Sequence, residues 1–123
     1  MSDLKEHQDK IHYVEFSARD IEATKAFFSG VFGWAFQDYG PDYASFIGAG
    51  VEGGFERKDK KSDADQGGAL VILYSADLEE THSKVVAAHG VIKRDIFSFP
   101  GGRRFHFVEP SGNELAVWSD KGL

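Results

Sequence analysis

Cysteine is absent from this chain of 123 residues, which removes disulfides, thiolate nucleophiles and cysteine-based zinc sites at once. Basic residues are in deficit: 14 Lys and Arg stand against 20 Asp and Glu, a formal net charge of −6. Sequence-independent nucleic-acid binding needs concentrated positive charge to displace counterions from phosphates, so no nucleic-acid partner is expected. No apolar run nears the roughly 18 residues that a membrane helix requires. The opening MSDLKEHQDK has no apolar stretch of the signal-peptide kind, so the expectation is a cytoplasmic protein without a membrane partner.

What is present suits a folded domain. Hydrophobic residues make up 41% and charged residues 28%, with Phe occurring 11 times, a balance that argues against disorder. A chain of this length fits one domain and buries roughly two-thirds of its unfolded surface.

The chain also repeats itself. Laying YVEFSARDIEATKAFFSGVFG (Tyr13 to Gly33) over LVILYSADLEETHSKVVAAHG (Leu70 to Gly90) matches Val14 with Val71, Asp20 with Asp77, Glu22 with Glu79, Thr24 with Thr81 and Gly33 with Gly90. Asp20 and Asp77 stand where a strand stops and a helical period begins, so each is expected to cap a helix by accepting from its first-turn N–H groups. Asp77 with Glu80 has capping-box spacing. Ile21, Thr24, Phe28, Val31 and Phe32 form an apolar stripe at helical spacing, and Leu78, Thr81, Val85 and Ala88 a thinner one. Gly33 and Gly90 fall just past the stripes, where a left-handed residue costs least as glycine.

Strand-like segments follow each helix: Trp34 to Tyr39, Tyr43 to Gly48 and Val51 to Arg57 in the first copy, and Val91 to Phe97, Arg103 to Glu109 and Asn113 to Ser119 in the second. Glu109-Pro110-Ser111-Gly112 carries a type I turn signature. The expected organisation is a polar tail over residues 1–10 and one domain over 11–121. Within it, module one spans about 11–57, a charged linker 58–67 and module two about 68–121. The order is β-α-β-β-β twice, an α+β fold of two tandem modules.

These features resemble the vicinal oxygen chelate superfamily of glyoxalases, bleomycin-resistance proteins and extradiol dioxygenases. The carriers are the strand–Asp–helix openings at Asp20 and Asp77, the helix end FFSGVFGW, and FVEPSGNELAVW. The last is similar to the family's Asp-Pro-x-Gly-Asn turn, with Glu109 in place of Asp. The resemblance implies an open cup-shaped mixed sheet with the helices outside. Metal-dependent members place ligands on the inner wall, at positions that correspond to Tyr13, Leu70, Ala116 and Glu56. Leucine and alanine have no donor atoms and a neutral phenol is a poor one, so neither a metal nor another cofactor is expected.

With the faces assigned through the resemblance, strand alternation lists the wall: Tyr13, Glu15 and Ser17 from the first strand, Leu70, Ile72 and Tyr74 from its repeat, and Glu114, Ala116 and Trp118 from the last. Arg104 and His106 share a face, suited to an anionic or carbonyl group if that face lines the cup. Glu15, His106 and Arg104 are the candidate catalytic groups. The expected function is metal-independent binding of a small molecule in an aromatic-lined cup, by a homodimer of the antibiotic-sequestering kind. The carboxylates Glu15, Glu56 and Glu114 would suit a cationic or polar aromatic guest. A glyoxalase-like lyase or isomerase, with a carboxylate base and Arg or His stabilising the oxyanion, is the alternative. A protein-interaction subunit is the third reading.

Overall fold

A 3-10 turn at Leu4–His7 leads into strand β1 (Tyr13–Ala18), helix α1 (Ile21–Phe32) and strands β2 (Ala35–Asp38), β3 (Tyr43–Ile47) and β4 (Glu52–Arg57). The second copy supplies β5 (Val71–Tyr74), α2 (Leu78–Ala87), β6 (Val91–Phe99), β7 (Gly102–Val108) and β8 (Glu114–Ser119). The computed structural model describes residues 4–122, so the first three residues of the polar tail lie outside the described residues. The expected order of elements occurs twice, as two four-stranded mixed sheets. Their strand orders are β1-β4-β3-β2 and β5-β8-β7-β6, with β1 parallel to β4 and β5 parallel to β8. No described helix is long and apolar enough to cross a membrane.

Local chemistry explains the element boundaries. The Asp20 carboxylate accepts from Ala23 N at 3.0 Å, and Asp77 from Glu80 N at 3.1 Å, so both aspartates cap as expected. The reciprocal half of the capping box at Asp77 is taken by another group, because its N–H donates to Ser75 Oγ. Gly33 ends α1 in the left-handed region, with φ 74°. Gly90 departs from the expectation. His89 takes the left-handed conformation, with φ 67°, and Gly90 serves close packing: a Cβ there would stand 2.7 Å from Val85 Cγ1 and 2.9 Å from Phe27 Cε2.

One core unites the two copies. The alternate residues Phe16 and Ala18 of β1, Phe55 of β4, Phe105 and Phe107 of β7, and Leu115 and Val117 of β8 turn toward the helices. From α1, Phe28 stacks on Phe55, while Phe27 and Phe32 lie against Phe107 of the second sheet. Burying a phenylalanine contributes about 1.5–3 kcal/mol, so this shared ring cluster is the main apolar bond between the modules. The helix-free faces of both sheets turn away from it.

A polar staple accompanies the rings. Glu109, only 2% exposed, accepts from Thr24 Oγ1 of α1 at 2.6 Å, from Ser111 N at 3.0 Å, and from Asn113 N and Nδ2 at 3.1 and 2.8 Å. Asn113 Nδ2 also donates to Ser17 O at 2.8 Å, and its Oδ1 accepts from Ser62 N at 2.8 Å. The turn expected at Glu109–Gly112 closes through Gly112 N to Glu109 O at 2.8 Å, with Gly112 at φ 95°. The staple fixes where β8 begins, and so which residues of that strand reach the helix-free face.

Candidate functional site

Each helix-free face brings together its own subset of the sequence-predicted residues. On the first sheet, Tyr13 lies opposite Glu52, Glu15 opposite Gly54 and Ser17 opposite Glu56. The β1–β4 ladder runs through Gly53 and Gly54 without a bulge. Glu56 therefore stands four ladder pairs away from Glu52, the residue facing Tyr13, and Lys58 Nζ lies 3.5 Å from it. Tyr43 donates to Glu15 at 2.9 Å and is hydrogen-bonded to the Tyr13 hydroxyl. Burial, followed by these two partners, pushes the Tyr43 phenol well above the ordinary tyrosine value.

The second sheet holds the denser cluster. On β8, Glu114, Ala116 and Trp118 face away from the helices and lie opposite Val108, His106 and Arg104 of β7. Ile72 and Tyr74 of β5 flank Ala116 and Trp118 on the other side. Leu70 precedes β5 and lies outside the ladder. The Tyr74 hydroxyl donates to Asp120, which holds the phenol above its ordinary value, and the Tyr74 and Trp118 rings meet edge to face at 5.3 Å.

Glu114 is 4% exposed and fully engaged. One oxygen accepts from Lys93 Nζ at 2.8 Å and Ala64 N at 3.0 Å; the other is 2.9 Å from His106 Nδ1. Burial alone would raise its pKa, but Lys93, His106 and the Ala64 N–H together hold the carboxyl below the usual value. Lys93 is also within 3.0 Å of Asp63 and of Asp65, and Glu114 first, then these two aspartates, raise its ammonium well above the ordinary lysine value. The segment read as a plain linker thus seats a buried carboxylate, through a 3-10 turn at Ala64–Gln66.

His106, 7% exposed, uses Nδ1 on Glu114, while its Nε2 is buried and has no partner. Arg104 Nε is likewise buried without a partner. Sequence reasoning missed three neighbours of this pair on β6. Phe97 lies opposite Arg104 and packs 5.9 Å from the His106 ring; Arg94 stands 3.6 Å over the Phe97 ring; Phe99 lies 5.6 Å from the Arg104 guanidinium. Residues three apart on a regular strand face opposite ways. A register shift between Arg94 and Phe97 brings both to the same side.

The positions that hold metal ligands in metal-dependent relatives do not form a cation site here. Tyr13 is tied to Tyr43, Leu70 and Ala116 are hydrocarbon, and Glu56 is out of register with Tyr13. Hydrocarbon side chains supply no lone pairs for coordination. Among the described residues, no group of three or more His, Asp or Glu side chains converges in a way that could hold a metal ion.

Solved structures share this architecture. A glyoxalase-related enzyme from Fulvimarina pelagi superposes with a TM-score of 0.75 at 16% identity, covering 90% of this chain and 88% of its own. The fosfomycin resistance protein FosX from Listeria monocytogenes gives 0.75 at 14% identity, covering 90% and 93%. Lactoylglutathione lyase from Agrobacterium tumefaciens gives 0.68 at 21% identity, also covering 90% and 93%. No functionally curated protein matches. At these identities the superpositions speak for the fold alone. The family model of the Glyoxalase/Bleomycin resistance protein/Dioxygenase superfamily matches residues 10–117, nearly the whole span of the two modules, and the chain belongs to that superfamily.

Proposed function

We propose that this protein binds a small molecule on the helix-free face of its second sheet, without a protein-held metal, and that a homodimer is its working form. One observation carries the reading: the carboxylates best placed to act as a base are already engaged. Glu114 is held by Lys93, His106 and a backbone N–H, and Glu15 accepts from Tyr43. What remains available is an aromatic wall of Tyr74, Trp118, Phe97 and Phe99 with a few fixed polar atoms, the composition of a recognition surface. The two helix-free faces turn away from a common core, so opposing walls require a second copy. Exposed Tyr13, Ile47, Ile72 and Tyr74 on those faces favour such burial.

A lyase or isomerase is the second reading, supported by the pairing of His106 with Glu114. An imidazole oriented through Nδ1 and unpartnered at Nε2, beside a guanidinium, has the form of a general base with an oxyanion stabiliser. Thermal-shift screening against small aromatic and antibiotic-like molecules, run in parallel with Ni2+, Zn2+ and Fe2+, separates the readings. The expected result is a ligand that raises the melting temperature with no metal bound; a ligand at a hundredfold excess over Kd adds about 2.7 kcal/mol. A stoichiometric metal in the purified protein would overturn the metal-independent reading. For a ligand that is turned over, loss of turnover with affinity retained in His106→Gln would establish the enzyme.

A further inference from the structure

The two helix-free faces differ in charge in a way that bears on the ligand. Although the chain carries a net charge of −6, the second face holds two arginines that no carboxylate neutralises among the described residues. Lys93 is neutralised by Glu114, Asp63 and Asp65. Arg94 and Arg104 meet only aromatic rings, and neither has an ion-pair partner among the described residues. The carboxylate beside His106, Glu114, is spent on Lys93 and His106. Two unpaired guanidiniums on one face of an acidic protein are complementary to an anion.

The second observation is independent of net charge. His106 Nε2 and Arg104 Nε are buried polar atoms with no partner, and a buried unsatisfied polar atom costs about 1–3 kcal/mol until something meets it. Both side chains leave the same face of β7 at alternate positions, so their bases stand about 7 Å apart. A carboxylate spans such a gap, accepting from Arg104 Nε–H with one oxygen and, in the imidazolium form in which both ring nitrogens donate, from His106 Nε2–H with the other. The rings supply the rest of the recognition: Phe97 covers His106 and Arg104, and Trp118 lies opposite Arg104 on β8. Phe97 stands where the β6 ladder resumes after the register shift that follows Arg94.

Resting on the small-molecule reading above, we infer that this face is an anion-selective subsite for an aromatic carboxylate. The carboxylate bridges Arg104 and the Nε2–H of a His106 imidazolium, and the ring packs against Phe97 and Trp118. This reverses the guest charge that composition and the count of acidic side chains suggest. Glu114 takes no part in attracting the guest; it orients the imidazole through Nδ1, leaving Nε2 to face the ligand.

The test is a titration of the isotopically labelled full chain with three matched probes: benzoate, benzamide and benzylammonium. The Trp118 indole N–H and the Arg104 Nε–H are the reporters, and the indole of Trp34, stacked on Phe28 in the core, is the internal control. Benzoate is expected to shift both reporters saturably while leaving Trp34 in place, and to bind at least about tenfold more weakly to Arg104→Gln. Arg104→Lys, which keeps the charge and loses the planar fork, is expected to fall between the two. Retention of the Trp34 signal in each variant shows that the core is intact.

Equal or tighter binding of benzamide or benzylammonium at the same reporters would overturn the anion preference and leave small-molecule binding standing. Silence from all three probes in a protein that binds a ligand from the broader screen would refute this subsite alone. Silence in both experiments would remove the small-molecule reading as well. If Arg104→Gln instead lowers the oligomeric state and benzoate moves neither reporter, the guanidinium serves a second copy of the chain and the inference fails.

Discussion

At the scale of single residues, Glu114 shows how burial and pairing compete. Desolvation favours its protonated form, and three donors favour its charged form and prevail. The folded pKa lies below the ordinary value of 4.5. The stabilisation from this group is therefore fully present above the unfolded pKa and is lost as pH falls through the lower, folded value. Acid unfolding of wild type and Glu114→Gln is expected to differ most above pH 4.5 and to converge in stronger acid. The substitution costs about 1–3 kcal/mol at neutral pH, because Lys93 and His106 lose a charged partner. Parallel urea titrations at neutral and acid pH check it; an unchanged gap across that range would refute the assigned role.

At the scale of elements, local signals were legible and long-range ones were not. Asp20 and Asp77 were readable as caps because the interaction closes within three residues of sequence. Gly90 was misread because its reason lies elsewhere: Phe27, from the other module, occupies the space that a Cβ would need. Gly90→Ala is expected to destabilise by about 1–3 kcal/mol through overpacking, read as a shift in the urea midpoint at unchanged slope. Gly33→Ala tests a different cause, since its left-handed φ of 74° has open space around it, and only backbone strain opposes the change. The wall of the candidate site divides in the same manner. Alternation assigned Glu114, Ala116 and Trp118 to one face because β8 is regular. Arg94 and Phe97 escaped notice because register shifts in β6 break the period on which such reading depends. Glu109 was visible as a turn residue, but a sequence does not show that Thr24 comes back to meet it across the fold.

At the scale of the whole molecule, rings and polar groups both join the modules: rings from α1 lie against Phe107, the Glu109 carboxylate meets Thr24, and Asn113 meets Ser17. Glu109→Ala would leave the buried Thr24 hydroxyl and the Asn113 amide without this acceptor, at a cost of about 2–4 kcal/mol. Loss of the staple also loosens the start of β8, so the perturbation is expected to reach the Trp118 indole signal as well as the unfolding midpoint. A midpoint that does not move would show that the carboxylate is dispensable to the junction. The proposed homodimer is checked by light scattering during gel filtration, where the expected mass is twice the chain's 13.6 kDa. A single-chain mass at the concentration where ligand binds would exclude it.

The sharing of rings between modules also has a consequence during synthesis. Phe27 and Phe32 leave the ribosome long before Phe107, which is the surface that covers them. For most of its translation the nascent chain carries a greasy, half-built layer that only the last strands can cover. Chaperone demand and co-translational aggregation should therefore track the elongation rate across the second half of the message.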